Sequence, residues 1–570
     1  MNCGLQTIKA LRVSSMENLL EVQKLTIRFG ANTVVDDLTF VLPKGKTLAI
    51  VGESGSGKSM TALALLGLLP PEARLSVQQL HFQPTAEQSF QLQNCQAKDW
   101  QQIRGREIGM IFQEPMTSLN PLQRCGQQID EVLRLHLGHN AQQARQRSLE
   151  WLGKVKIQDP ERIYRSYPHE ISGGQKQRVM IAMAMCCNPS LLLADEPTTA
   201  LDATVQKDII LLMRELQQEF NTAILFISHD LSLVAGMADQ VLVMQQGKLV
   251  EKGSSEQIFE HAQAPYTKAL LSCRPPLDRK VVRLATIDDF VEKEQNTEEK
   301  EVAPTIPPAP SANLLEVKNL STWFPVQKSW FGKTRNWVKA VQEASFDIKA
   351  GQTLGLVGES GSGKTTLGRS LLRLIEPTAG VIHYNGQDIE KIDAEAMRQL
   401  RRELQIVFQD PYSSLNPRLP VGLAITEPMK VHGIGSNDQD RVERCIVLLE
   451  QVGLQADHFT RYPHEFSGGQ RQRLCIARAL AVQPRFLVCD EAVSSLDVSV
   501  QATVLNLLKD LQAQEGLTYL FISHDLAVVR FMCDDIMVMK DGVIVEKGPA
   551  EQVFEAPTHP YTQALLEASR

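Results

Sequence analysis

The chain contains the same unit twice. The octet beginning at Gly52 returns at Gly358, and after it Gln113 pairs with Gln409, Ser172 with Ser467, Asp195 with Asp490, His229 with His524 and Tyr266 with Tyr561. The last four pairs share an offset of 295 residues, so the 570 residues hold two tandem domains rather than an array of short modules. The offset is 306 at Lys58 and Lys364 but 296 at the glutamines, which gives the first copy ten extra residues. The Gln-rich stretch 77–102 is where they fit, as a loop or hairpin insertion. Residues 1–15 have no counterpart, whereas Met16-Glu-Asn-Leu-Leu-Glu-Val parallels Asn313-Leu-Leu-Glu-Val, so Met16 is the expected start.

The domains are expected at 16–272 and 314–570, joined by 273–313. That joining stretch carries a run of Glu and Lys followed by Pro-Thr-Ile-Pro-Pro-Ala-Pro, too polar and Pro-rich for a packed core, and reads as a solvated tether. Within each copy, short apolar runs end at polar motifs: 47–51, 191–194 and 224–227, with counterparts 353–357, 486–489 and 519–522. These predict strands buried on both faces of a parallel sheet, separated by helices, which is an α/β fold. Near each end, Val241-Leu-Val-Met before Gly247 and Ile536-Met-Val-Met before Asp541-Gly542 predict hairpins.

Between the first strand and the next helix lie Gly52, Glu53, Ser54, Gly55, Ser56, Gly57, Lys58 and Ser59, repeated as Gly358, Glu359, Ser360, Gly361, Ser362, Gly363, Lys364 and Thr365. Both match G-x-x-x-x-G-K-[ST] in the strand–loop–helix context that gives the pattern meaning. Glycines let successive N–H groups converge on nucleotide phosphates, the helix N-terminus adds positive potential, and the lysine reaches the β and γ phosphates. Ser59 and Thr365 are the expected Mg²⁺ ligands, with ATP as the nucleotide.

A second apolar strand in each copy ends in an acidic pair, Asp195-Glu196 and Asp490-Glu491. The aspartate suits the Mg²⁺ shell and the glutamate an attacking water, because phosphoryl transfer depends on positioning and charge neutralisation. His229 and His524 each follow a strand in Ile-Ser-His-Asp; a lone histidine is more often structural, but the duplicated strand-end position favours a γ-phosphate contact.

Composition excludes several other classes. A net charge of −7 and a pI near 6.0 give no general attraction to nucleic acid or anionic lipid. Ten cysteines include no C-x-x-C pair, only the adjacent Cys186 and Cys187, so neither a zinc site nor a disulfide framework is expected. No run approaches the roughly 18 apolar residues of a membrane span, so any membrane role is expected to come through partners.

Ser172, Gly173, Gly174 and Gln175, after Ile171, and Ser467, Gly468, Gly469 and Gln470, after Phe466, place a hydroxyl and exposed N–H groups at a helix start. Their bland reading is a helix cap. They also resemble the signature sequence of ABC ATPases, and the resemblance then extends over nearly the whole chain. It implies a RecA-like core, an antiparallel β subdomain and a helical subdomain in each copy. It further implies that each signature completes the other copy's site, Lys58 with Ser467 and Lys364 with Ser172, around two ATP molecules. Gln113 and Gln409 match Q-loops that contact Mg²⁺, residues 199–202 and 494–497 match D-loops, and Phe29 and Phe324 are candidate adenine-stacking aromatics, with Trp323 a competitor. Both glutamates, histidines and signatures are present, so two hydrolytic sites are expected; Ala492 in place of Pro197 is expected to change backbone stiffness rather than chemistry.

Ser118-Leu-Asn-Pro and Ser414-Leu-Asn-Pro after the Q-loops, and Pro265-Tyr-Thr and Pro560-Tyr-Thr near the ends, resemble the peptide and nickel uptake subfamily. The fused layout and the lone Cys273 look like single-chain ATPases of microcin C-type and glutathione-type importers, without an iron–sulfur cluster. Two integral-membrane permeases, an extracytoplasmic binding protein and a peripheral place on the cytoplasmic face of a bacterial inner membrane are implied with them. Dipeptides, oligopeptides or microcin C-like molecules are the implied cargo, with nickel or glutathione as alternatives. A ribosome-acting tandem ATPase remains the rival from another class, against which the acidic, Pro-rich linker argues. The run Met180-Ile-Ala-Met-Ala-Met185 reads as helix core rather than as a metal site.

Overall fold

The computed structural model describes residues 18–113, 118–198, 201–287, 289–290, 312–328, 334–494 and 496–569. The expected start at Met16 and the D-loop residues Thr199, Ala200 and Ser495 lie outside the described residues. By their contacts the residues group into two units, Met1–Thr199 with Asp208–Thr267, and Ala200–Lys207 with Lys268–Arg570.

In the first unit β1 (Asn18–Phe29) pairs antiparallel with β2 (Asn32–Pro43) on one edge. On its other edge it meets β4 (Ala73–Ser76) and β5 (Gln79–Phe82), and β6 (Phe90–Gln91) pairs with β5. The second sheet runs in the order β11, β10, β3, β9, β8, β7, where β3 is Thr47–Val51, β7 Ile108–Ile111, β8 Leu191–Asp195, β9 Ala223–Ser228, β10 Gln240–Gln245 and β11 Lys248–Ser254. All its pairs are parallel except β10 with β11. Every residue of β3, β8 and β9 is buried, as continuous apolar runs in a two-sided sheet require. The helix Lys58–Leu65 follows β3, and its Ala62 and Leu65 join Leu20 and Ile27 of β1 and Leu193 and Leu225 of the parallel sheet in one core.

The second unit repeats this plan. An antiparallel sheet is built from β12 (Asn313–Lys328), β13 (Thr334–Lys349), β15 (Ala379–Tyr384) and β16 (Gln387–Asp388). The other sheet has the order β17, β18, β19, β14, β20, β21, with β14 at Thr353–Val357, β17 at Leu404–Val407, β18 at Phe486–Asp490, β19 at Thr518–Ile522, β20 at Asp535–Lys540 and β21 at Val543–Pro549. The expected end hairpins are β10–β11 and β20–β21, turned at Gln246-Gly247 and Asp541-Gly542 with positive φ at all four residues. Part of the extra length in the first copy is a longer hairpin connection: β5 and β6 are joined by residues 83–89, β15 and β16 by Asn385-Gly386 alone.

The tether expectation needs correction at its beginning. Cys273 and Leu284 are buried in the core of the second unit, and Leu277, Val281 and Ile287 pack against the same core. Asn506, 3% exposed, donates to Leu284 O at 2.9 Å and accepts from Leu284 N at 3.0 Å. Arg530 donates to Leu277 O at 2.8 Å, and Arg283 forks onto Asp510 at 2.9 and 3.1 Å. The composition of the whole stretch had masked four apolar residues at its start that suffice to seat a strap. The charge run and prolines of 291–311 lie outside the described residues. Asn506→Ala leaves two buried backbone groups without partners and is expected to destabilise the second unit by about 1–3 kcal/mol, read as a lower denaturant midpoint of the full chain. An unchanged midpoint would mean that the strap is held without it.

Candidate functional site

Each phosphate loop is shaped by how closely it passes its neighbours. Gly52 has φ 148°, and a Cβ there would stand 2.1 Å from Met244 O on β10; at Gly358, φ 153°, it would stand 2.2 Å from Met539 O on β20. Gly57 and Gly363, both at positive φ, start the helices Lys58–Leu65 and Lys364–Leu371, and a Cβ on either would meet Val34 O at 2.6 Å or Ala340 O at 2.0 Å. Only glycine satisfies both the torsion and the space. Ser54, Gly55, Ser360 and Gly361 are exposed at the loop crests, while Ser56 and Ser362 are buried with hydroxyls that have no protein partner.

Lys58 Nζ donates to Gly52 O and Glu53 O, both at 2.8 Å, and Lys364 Nζ to Gly358 O at 2.7 Å and Glu359 O at 2.8 Å. Burial holds the Lys364 ammonium below its ordinary range, opposed by Glu491, Asp202, Asp490 and Glu359. Ser59 donates to Asp195 Oδ1 at 3.0 Å and Thr365 to Asp490 Oδ1 at 2.9 Å. Burial pushes the Asp195 carboxyl up to about 6 against the hydrogen bond from Ser59. Asp490 is also raised by burial, and there Arg369 stands 4.0 Å away where the first copy has Leu63.

The next residue turns abruptly. Glu196 and Glu491 have φ 48° and 49°, so the Pro197-to-Ala492 exchange leaves this turn unchanged. Gln113 Nε2 donates to Glu196 Oε2 at 3.0 Å, and His229 Nδ1 lies 3.1 Å from the same oxygen. In the second copy Gln409 donates to Glu491 Oε2 at 2.7 Å and His524 Nδ1 lies 3.5 Å away. Burial would lower the His524 pKa, but the Glu491 carboxylate outweighs it and the pKa rises; Glu491 is held below its usual range, burial being overcome by His524 and Lys364. Loop lysine, hydroxyl, acidic pair, glutamine and histidine therefore converge at the strand ends of each unit.

The other expected residues sit elsewhere. Ser172 and Ser467 are N-caps: each hydroxyl accepts from the N–H of Gln175 or Gln470, whose side chain bonds back to the serine N–H. The serines themselves are exposed. Phe29 is half-buried against the first unit's core, whereas Phe324 is 39% exposed and Trp323 lies under Lys339 Nζ at 5.0 Å from its ring. In the second unit Ser360 N donates to Asp202 Oδ1 at 2.8 Å. Met180 and Met185 are buried, and among the described residues no group of three or more His, Cys, Asp or Glu is arranged to hold a metal. Sequence reasoning overlooked that Tyr266 and Tyr561 reach the phosphate loops; their shared offset of 295 was the available signal.

This loop, acidic pair, glutamine and histidine, present twice, have the arrangement of a P-loop ATPase. The chain belongs to the ABC transporter family, whose description matches residues 35–199 and 341–494, and the oligopeptide/dipeptide transporter C-terminal region matches 250–300 and 545–569. Glutathione import ATP-binding proteins GsiA of Salmonella paratyphi A and Escherichia coli K12 are each 47% identical over 563 residues, covering 97% of this chain and 89% of the relative. Among solved structures, cbiO1 from Clostridium perfringens, part of the ABC transporter complex cbiONQ, is 25% identical and covers 43% of this chain and 92% of its own, with a TM-score of 0.38. The protein is the ATP-binding and ATP-hydrolysing subunit of an ABC importer of the oligopeptide transporter type. The α/β tandem-cassette expectation and the family resemblance are borne out. Among the described residues no helix is long and apolar enough to cross a membrane.

Gly358→Ala forces a Cβ into the Met539 carbonyl and a torsion that costs an L-residue about 1–3 kcal/mol. ATP affinity at the second site is expected to fall about tenfold or more with the circular dichroism spectrum preserved, as measured by titration with a fluorescent ATP analogue. Wild-type affinity in that variant would overturn the steric account.

Proposed function

We propose that both sites bind ATP with Mg²⁺ and hydrolyse it to drive uptake of peptides through membrane permeases. The observation that carries the hydrolytic part is the pair of hydrogen-bonded carboxylates, Glu196 and Glu491, each fixed at positive φ beside a buried aspartate. The donor chemistry fits the cofactors. Unpartnered Ser56 and Ser362 hydroxyls and the glycine cradles suit phosphates, and the oxygens of Ser59, Asp195, Thr365 and Asp490, with the side-chain carbonyls of Gln113 and Gln409, suit a hard divalent cation. Bound Mg²⁺ supplies charge neutralisation for the transferring phosphoryl group.

In this reading Lys58 and Lys364 exchange their loop carbonyls for phosphate oxygens, Glu196 and Glu491 orient and polarise the attacking water, and His229 and His524 fix those carboxylates and meet the γ-phosphate. Ser172 and Ser467, with Gly173, Gly174, Gly468 and Gly469, open capped helices whose N-terminal N–H groups suit a phosphate anion. Gln113 and Gln409 link hydrolysis to two integral-membrane permeases, fed by an extracytoplasmic binding protein, with this chain peripheral on the cytoplasmic face. Relatives named for glutathione import, together with the oligopeptide C-terminal region, support a small peptide such as glutathione as cargo.

Replacing Glu196 or Glu491 by Gln keeps size but removes the charge that polarises water. Turnover is expected to fall about 10²-fold or more with ATP binding retained, since a positioned base contributes about 10²–10⁴. Unchanged turnover in the double variant would sink the assignment. Affinity capture of the tagged chain from detergent-solubilised membranes is expected to recover two multi-span permeases, with ATPase activity stimulated by peptide and a binding protein. Recovery of ribosomes without permeases would transfer the protein to the translation class.

A further inference from the structure

In each unit the terminal Pro-Tyr-Thr motif, so far only a subfamily mark, reaches back to the phosphate loop. Tyr266, 7% exposed, donates its hydroxyl to Glu53 Oε2 at 3.4 Å, and Tyr561 OH accepts from Glu359 N at 3.1 Å. Glu53 and Glu359 hold the same position, the second residue of the loop, and their carbonyls are among those that receive the loop lysines.

The tyrosines are placed from the sheet that bears the loop. Glu251 on β11 lies opposite Val243 of β10, which in turn pairs with Val51 at the end of β3. The Glu251 carboxylate accepts from Gln263 N at 2.7 Å and Ala264 N at 3.1 Å, fixing the entry to the helix Pro265–Ser272 that carries Tyr266. The second unit has the same frame: Glu546 lies opposite Val538, Val538 pairs with Val357, and the Glu546 carboxylate accepts from Thr558 N, Thr558 Oγ1 and His559 N at 2.8 to 3.1 Å. His559 Nδ1 then accepts from Tyr561 N at 3.1 Å, and Lys540 Nζ lies 4.9 Å from the centre of the Tyr561 ring. Strand, neighbouring hairpin, terminal helix and tyrosine thus form a closed circuit that returns to the loop where it leaves the strand.

We propose that Tyr266 and Tyr561 are positioning residues for ATP: their hydroxyls hold Glu53 and Glu359 so that the loop keeps its shape while its lysine moves from carbonyl to phosphate. This rests on the loops being the nucleotide sites. A contact that organises the loop equally for bound ATP and for the transition state changes KM and leaves kcat. Losing one such hydrogen bond corresponds to about a two- to tenfold effect.

The test uses the full chain as wild type, Tyr266→Phe, Tyr561→Phe and the double variant, which keep the ring and its packing. ATPase rates against ATP concentration, direct titration with a fluorescent ATP analogue and thermal midpoints are read together. The expected result is KM and Kd raised about two- to tenfold by each substitution, more in the double variant, with kcat within twofold and midpoints within a degree or two. A lowered midpoint with unchanged KM and Kd would reduce the tyrosines to structural anchors and overturn the proposal, as would a fall in kcat alone. Wild-type protein that binds no ATP analogue would instead overturn the nucleotide reading on which the proposal stands.

Discussion

The approach of one backbone to another at Gly52 and Gly358 governs the rest of each site. Because the loop leaves its strand within reach of a carbonyl on the neighbouring strand, β10 or β20, its path is constrained by the parallel sheet as well as by the lysine bonds within the loop. The next helix must then begin at Gly57 or Gly363, where another foreign carbonyl forbids a side chain. Lysine and hydroxyl follow, the lysine reaching the loop carbonyls and the hydroxyl the aspartate at the end of the second strand. The buried sheet supplies rigidity, and the loops that leave its strand ends carry the polar groups.

A second constraint is electrostatic. Buried carboxylates persist when hydrogen-bonded or paired, and in the second copy the two members of the acidic pair are treated differently. The aspartates sit deep, raised by burial, with one hydroxyl each as donor. In the second copy the glutamate is drawn the other way by a histidine and a lysine. Neighbouring residues with opposite pKa tendencies are a usual sign of divided labour between chemical groups. The arrangement is not perfectly doubled, because Arg369 adds a cation beside Asp490 where Leu63 stands in the other copy.

Much of this was legible in the residues. Six apolar runs became strands within one residue at either end, because continuous burial on two faces leaves no other use for them. The loop, the acidic pair and the helix-capping serines were readable since torsion, charge and capping each demand a narrow set of side chains. Long-range returns were not legible: nothing local to Tyr561 says that its hydroxyl meets Glu359, 202 positions earlier. The strap was hidden for a different reason. Composition averaged over a long stretch diluted Leu277, Val281, Leu284 and Ile287 among charges and prolines, although four such residues suffice when a preformed core offers them a surface.

The unequal hairpins give this duplicated molecule a practical asymmetry. Where the second copy turns in two residues, the first takes a longer way round, with Thr85–Ser89 facing solvent. Exposed loop tips of this sort accept inserted sequence with little strain. A fluorophore or peptide epitope built in at that tip would report on one cassette alone, in a protein that carries the same plan twice.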